Sequence, residues 1–312
     1  MTRRNPVNRS QRRLHRPPRE RFATRTLSFD AGEETCRGTL YLPGGDADDP
    51  PAVVMGPGLG AERRFGTPAV AERFADAGYA ALLFDYRGFG DSDDDTQTIH
   101  PERQRVDYVA AVDRLDEVAA VGRERVLWGI SLSAGHVLTL AAERRDIDAV
   151  IAVAPMLDPR RTLRARGGAY VARAVAAGLR DLFGHRFGRG RTVPLVGDRE
   201  SLAAITEPGS KRGYLDLVDR DSRWRNETPA RSLLRLLSYH PGERISEIRT
   251  PTLLLAGTND TIVPVDTVTA AGRALDSGTV VTMPADHFSV LGAAFEPAIG
   301  HQLSFLTDAL DE

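Results

Sequence analysis

The chain has 312 residues, of which 41% are hydrophobic and 27% charged, with a formal net charge of −2. That length and balance suit one large α/β domain with an insertion, or two domains, and supply ample material for a buried core. No apolar stretch approaches the roughly 18 residues of a membrane-crossing helix, so no membrane partner is expected, and the single cysteine, Cys36, excludes an intrachain disulfide.

Residues 1–21 stand apart, with eight arginines and one acidic residue, Glu20. The arm carries +7 against −9 for the remaining chain, the two adding to the net −2. No apolar segment follows the arginines, so the arm does not read as a secretory leader and a cytoplasmic location is expected. A like-charge block of this kind reads as a solvated, disordered arm rather than a nucleic-acid site.

From there strands and helices alternate. Strand-like segments occupy 26–29, 39–42 and 52–55, with Gly44-Gly45, Asp46, Asp48 and Asp49 marking the turn before the third. Thr67-Pro68 opens a helix that buries Val70 and Phe74 and stops at Gly78. A strand at 80–84 follows, then a helical stripe of Tyr108, Val109, Val112, Leu115 and Val118 that faces the core. Strands at 126–128 and 149–154 flank a helical pattern from Gly135 to Arg145. After a long interval come a strand at 252–256, a helix opened by Asp266, a strand at 279–283, and a last helix with Ile299, Leu303, Leu306 and Leu310 on one face. Such alternation predicts a mostly parallel sheet covered on both faces. The interval is too long for an ordinary connection. It carries helical patterns of its own, Val171, Val175, Leu179 and Leu182, then Thr228-Pro229 through Leu233, Leu236 and Leu237. It reads as a helical cap, 159–248, inserted between the sixth and seventh strands of a core formed by 22–158 and 249–312.

Gly129-Ile130-Ser131-Leu132-Ser133 follows the apolar run Val126-Leu127-Trp128 and opens a helix. A serine hydroxyl is presented as a nucleophile in this strand–turn–helix setting. A free hydroxyl needs a base. His287 follows the strand at 279–283 and Asp260 follows the strand at 252–256, so all three sit at carboxyl ends of strands, where open parallel sheets bind ligands. Asp260 would hold one imidazole tautomer and stabilise the imidazolium. Asp158, after the strand at 149–154, is the reserve acid, whereas Asp286, beside His287 in sequence, is poorly placed to face its ring. His15, His100, His136, His185, His240 and His301 follow no late strand, and His136 reads as packed or frayed into solvent.

With Met55-Gly56-Pro57-Gly58-Leu59-Gly60 and Asp85-Tyr86-Arg87-Gly88-Phe89-Gly90-Asp91-Ser92, these motifs run in one order between about Thr24 and Leu310. On them the chain resembles the α/β-hydrolase superfamily, and within it the capped bacterial serine esterases, thioesterases and acyltransferase-like members. The resemblance implies an α/β-hydrolase fold: a mostly parallel central sheet with helices on both faces and an inserted helical cap over Ser131. It further implies Ser131, Asp260 and His287 as catalytic residues, backbone N–H groups of Leu59 and Leu132 as the oxyanion hole, and no cofactor or metal. Two positions depart from the common pattern. Ser133 stands where Gly-x-Ser-x-Gly ends, and Pro57-Gly58 stands where many members have His-Gly. A small residue keeps the turn, and the hole is made of backbone, so neither departure removes the machinery.

The expected activity is hydrolysis of an ester or thioester of a small-to-medium acyl substrate through an acyl-enzyme. The alternatives are acyl transfer from the same acyl-enzyme and a catalytically silent binding protein. Serine at 131 argues against the aspartate-based dehalogenase and epoxide-hydrolase chemistries of this fold. From 159 to 191 the cap has nine arginines and one acid, Asp181. That stretch is either a solvated face or a surface that attracts an anionic or carrier-bound substrate. Asp91, Asp93, Asp94 and Asp95 lack the spacing of a cation loop, and Gly56, Gly58 and Gly60 lack that of a nucleotide-binding loop. Asp85 and Arg87 are expected to organise their turn. Cys36 reads as a small residue on an early strand, and Lys211 has no apolar pocket to support a Schiff base.

Overall fold

A computed structural model describes residues 21–45 and 49–310. The basic arm before Arg21 and the turn residues Asp46 and Asp48 lie outside the described residues. Arg21 itself pairs with Asp76 at 2.6 Å.

The chain opens with a hairpin, β1 (Phe22–Ala31) and β2 (Glu34–Pro43). It then alternates: β3 (Ala52–Gly56), α1 (Pro68–Asp76), β4 (Ala80–Asp85), α2 (Pro101–Leu115), β5 (Arg125–Ile130), α3 (Leu132–Glu143) and β6 (Ala149–Val153). After an insertion come β9 (Thr252–Gly257), α8 (Val265–Gly272), β10 (Gly278–Met283) and α9 (Phe295–Leu310). These strands form one eight-stranded sheet in the order β1-β2-β4-β3-β5-β6-β9-β10. Only the β1–β2 and β2–β4 pairings are antiparallel. The inner parallel strands β3, β4, β5, β6 and β9 are buried on both sides, because alternate residues feed two separate cores, whereas the edge strand β10 is largely exposed. Val54, Leu82, Leu127 and Leu254 pack on the α2, α3 and α8 side. Val53, Leu83, Trp128 and Leu253 pack on the α1 and α9 side. Among the described residues no helix is long and apolar enough to cross a membrane.

Between β6 and β9 lie α4 (Pro159–Ala165), α5 (Gly168–His185), β7 (Thr192–Val193), α6 (Ser210–Leu215), β8 (Thr228–Pro229) and α7 (Arg231–Leu237). Two local expectations change here. Thr228-Pro229 does not open a helix. It pairs with Thr192–Val193 because the Thr228 hydroxyl is tied to the Gln97 carbonyl at 2.8 Å, and α7 starts after it. The expected stripe of α5 is half-buried at Val171 and Val175 but turns outward at Leu179 and Leu182, and the buried positions are Tyr170, Ala174, Gly178 and Asp181. Thr67 precedes α1 as expected but does not cap it with its side chain; its hydroxyl donates instead to the Arg63 carbonyl at 2.7 Å.

Candidate active site

Ser131 lies where β5 turns sharply into α3. Its backbone is forced to φ 57° and ψ −113°, a left-handed conformation that costs a non-glycine residue about 1–3 kcal/mol. Neighbouring backbone holds it there. The Ser131 N–H donates to the Val153 carbonyl at 2.9 Å, and the Ser131 carbonyl accepts the Met156 N–H at 3.0 Å. Gly129 is required two residues earlier, since a Cβ there would come within 2.5 Å of the Ser133 backbone. An ordinary N-terminal helix serine would bond the first-turn N–H groups. Ser131 makes no such bond, and its Oγ lies 3.0 Å from His287 Nε2.

His287 follows β10, and Asp260 follows β9. The His287 Nδ1–H donates to Asp260 Oδ2 at 2.7 Å. The other carboxylate oxygen accepts the N–H groups of Ile262 and Val263, each at 2.8 Å. One oxygen therefore fixes the carboxylate and the other fixes the ring. An ionised carboxylate only accepts, so the imidazole proton sits on Nδ1 and Nε2 faces Ser131 as an acceptor. All three residues are buried. The reserve acid goes elsewhere: Asp158 caps α4 by accepting the Arg161 N–H at 3.0 Å. Asp286 turns to the N–H groups of Phe288 and Ser289.

The segment 57–60, after β3, passes beside the serine; a Cβ on Gly58 would lie 3.6 Å from Ser131 Cβ. Leu132 is the first residue of α3, so its N–H belongs to the first turn, which has no intrahelical acceptor. Leu59 and Ser131 both line an apolar cavity of about 40 Å³. The core contributes Phe65 and Ile130 to its wall, and the insertion contributes Ile205, Tyr214 and Leu217.

The chain matches the profile of the Hydrolase_4 family, serine aminopeptidase, S33, over residues 50–284. It belongs to this family of α/β-hydrolases. The quorum-quenching protein AidA of Acinetobacter baumannii is 32% identical, over 90% of this chain and 93% of that protein. The thiohydrolase aneE of Aspergillus aculeatus is 27% identical, over 88% and 89%. The solved structure of the α/β-hydrolase GrgF from Penicillium sp. sh18 superposes with a TM-score of 0.80 at 21% identity, covering 93% of this chain and 100% of that one. Under the name polyketide transferase, grgF of Penicillium sp is also 33% identical over 110 residues, 35% of this chain and 37% of that one.

Seen as an α/β-hydrolase, the chain shows how its two departures from the common pattern meet. The Ser133 hydroxyl donates to the Pro57 carbonyl and lies 2.5 Å from the Tyr86 hydroxyl. A glycine could make neither contact. The Asp85 carboxylate takes the Arg63 N–H at 2.7 Å and the Asp91 N–H at 3.1 Å, and pairs with the Arg63 guanidinium. Burial pushes it up to about 6 against the pull of Arg63. Arg87 pairs with Asp107 and Glu34. Both side chains thus fasten the turn after β4. In the acidic run Asp91 pairs with Arg63 and Arg64 and Asp93 with Arg37, while Asp94 accepts from Thr96. Cys36 lies fully buried on β2, its thiol pushed up to about 12 by burial, and Lys211 pairs with Asp198 on the surface. His136 is packed, with Nδ1 2.7 Å from the Tyr239 hydroxyl.

Proposed function

We propose that this α/β-hydrolase is a serine hydrolase of esters or thioesters with small-to-medium acyl groups. The hydrogen-bond chain Asp260–His287–Ser131, set at an apolar cavity, carries the reading. His287 Nε2 takes the Ser131 proton as Oγ bonds to the acyl carbon. The N–H groups of Leu132 and Leu59 hold the negative oxygen of the tetrahedral adduct. The adduct collapses by expelling the alkoxide or thiolate, which receives the proton from His287. Water then gives a proton to His287 and attacks the acyl-enzyme; the second adduct releases the acid and returns the proton to Ser131. Asp260 keeps the imidazole in one orientation and stabilises its cationic form in each half.

The cavity supports an apolar acyl group, because its walls include Phe65, Ile130, Ile205 and Leu217. Its chemistry favours esters over peptides. Removal of an N-terminal residue requires a partner for the free ammonium, and the residues lining the cavity include no carboxylate. The 159–248 insertion acts as a lid that shapes the pocket and excludes water. Acyl transfer, in which an alcohol or amine replaces water at the acyl-enzyme, is the second reading, supported by the likeness to a polyketide transferase.

The test is labelling with a fluorescent fluorophosphonate, peptide mapping of the adduct, and turnover of p-nitrophenyl acetate and butyrate and their thioester analogues. Labelling confined to Ser131, and lost with turnover in Ser131→Ala, is expected. An unlabelled, folded wild type, or full turnover in the alanine variant, would sink the mechanism. Partition of a radiolabelled acyl group between water and added alcohols separates hydrolysis from transfer.

A further inference from the structure

Four consecutive carbonyls, 57 to 60, are each held by a donor. Pro57 accepts from the Ser133 hydroxyl, and Gly58 from the Ala61 N–H at 3.1 Å. The other two donors come from the insertion. The Tyr214 hydroxyl donates to the Leu59 carbonyl at 2.9 Å, and Trp224 Nε1–H donates to the Gly60 carbonyl at 2.8 Å. A peptide unit is planar, so fixing its carbonyl fixes the N–H on the opposite side. The Leu59 N–H shares its plane with the Gly58 carbonyl, which the Ala61 N–H holds. Tyr214 pins the next plane, and Trp224 pins the plane that carries the Ala61 N–H, so both rings reach the Leu59 N–H through this short turn. Gly60 adopts φ +65°, and a Cβ there would lie 2.6 Å from the Leu195 side chain, so the insertion also packs against the one residue that lets the loop bend.

The two donor rings form a unit. Tyr214 and Trp224 stack with centroids 5.5 Å apart at 26°. Trp224 meets Phe65 edge-on at 5.9 Å, and Tyr214 meets Phe288 edge-on at 6.2 Å. Phe288 in turn packs against the His287 ring at 5.2 Å. One run of rings thus joins the base to the loop through residues of the insertion.

We propose that Tyr214 and Trp224 are positioning residues of the oxyanion hole, aiming the Leu59 N–H at the developing negative charge, so that the cap sets the rate of the chemical step as well as access. The proposal rests on the reading of Ser131 as nucleophile and Leu59 as donor. It differs from a merely structural role in one respect. Bonds that only hold the cap down change stability or substrate binding, whereas bonds that aim an oxyanion donor change the transition state more than the ground state.

Tyr214→Phe keeps the ring stack and deletes one donor, and benzothienylalanine at 224 keeps the indole shape and deletes the other. Each is measured for kcat and KM on p-nitrophenyl butyrate, for the affinity of a trifluoromethyl ketone that forms the tetrahedral adduct, and for Tm. A fully lost hole donor costs about 10²–10³ in kcat, so a mis-aimed one is expected to cost roughly 10-fold in each variant, with KM within about twofold and ketone affinity falling in parallel with kcat. If Tyr214→Phe fails to fold, the 224 variant decides the matter by the same readouts. Wild-type kcat and ketone affinity in a folded variant, or a change in KM or Tm alone, overturns the proposal. An inactive, unlabelled wild type overturns it together with the serine reading, whereas an active, labelled wild type with unaltered variants overturns the clamp alone.

Discussion

The sheet and the longest helix of the insertion, α5, are held in place by different means. In β3 to β6 every residue is buried, and bulk does the work, with large side chains such as Trp128, Phe84 and Leu127 fully enclosed. In α5 the buried positions are Tyr170, Ala174, Gly178 and Asp181, and the apolar side chains Leu179, Leu182 and Phe183 point outward, Phe183 64% exposed. Polar anchors secure this helix. The Asp181 carboxylate accepts the N–H groups of Arg191 and Arg231 and pairs with the Arg231 guanidinium at 3.0 Å. Arg166 pairs with Glu207 at 2.9 Å. The hydrogen-bonded Ser131, His287 and Asp260 all follow strands of the sheet, while Ile205, Tyr214 and Leu217 of the insertion form walls of the cavity. Substitutions in the two parts should therefore separate chemistry from substrate choice.

The widest separation is expected at the core residues. Ser131→Ala should lower kcat on the order of 10⁵-fold or more and leave the fold intact, measured by ester turnover and circular dichroism. Asp260→Asn should cost roughly 10⁴-fold, because an amide can no longer hold the base in the required tautomer. Asp158→Asn is the matched control. It alters only the cap of α4, so kcat should stay at the wild-type value, and a loss matching that of Asp260→Asn would mean that the wrong carboxylate has been assigned.

What could be read from the sequence follows the same division. Strands such as Val126-Leu127-Trp128 are legible because burial on both faces leaves no room for polar residues. Ser131, Asp260 and His287 are legible because turn chemistry and strand ends mark them locally. The hairpin strands β1 and β2 extend beyond 26–29 and 39–42, since residues such as Arg25 and Glu34 on a partly exposed edge carry no apolar signal. Periodicity in α5 serves at Val171 and fails in the second half of the helix, where Gly178 and Asp181 are buried by close approach and hydrogen bonding while Leu179 and Leu182 face out. Tyr214 and Trp224 carry no sequence signal at all. Their acceptors are backbone carbonyls 155 and 164 positions away. Ser133 is marked in the sequence only as a departure from the glycine pattern, and its use lies in the Pro57 carbonyl that the fold sets beside it.

Leu217→Ala in the insertion should enlarge the acyl pocket without touching the hydrogen-bonded residues. The ratio of kcat/KM for octanoyl over acetyl esters should rise by roughly 10-fold or more, the scale of discrimination that a methylene or two gives in an apolar pocket. Labelling of Ser131 by a small fluorophosphonate should be unchanged. An unaltered chain-length profile would show that Leu217 does not bound the acyl group.

The smallest expected effect concerns stability, and it lies where the two parts touch. His136 on α3 is fully buried, between the Tyr239 hydroxyl at 2.7 Å and Gln104 Oε1 at 3.3 Å. Burial, aided by nearby Arg105, pushes its imidazole down to about 3, so it stays neutral in the folded protein while the unfolded chain takes up a proton below about 6.5. The unfolded state then binds more protons, and stability falls as pH drops from 6.5 toward 3. His100, pushed down to about 4 by burial and then by Arg235, acts in the same direction. Asp85, raised to about 6, acts in the opposite direction, because the folded state holds its proton more tightly between pH 6 and the ordinary carboxylate range. The total slope mixes these groups, so the informative quantity is a difference between variants. His136→Gln keeps a polar group between Tyr239 and Gln104 and removes the titration. Between pH 6.5 and 5 it should lose about 2 kcal/mol less stability than the wild type, read from urea unfolding at the two pH values. Parallel slopes in the two proteins would mean that His136 takes up its proton while folded, and that this contact between α3 and the segment after α7 is looser than its burial indicates.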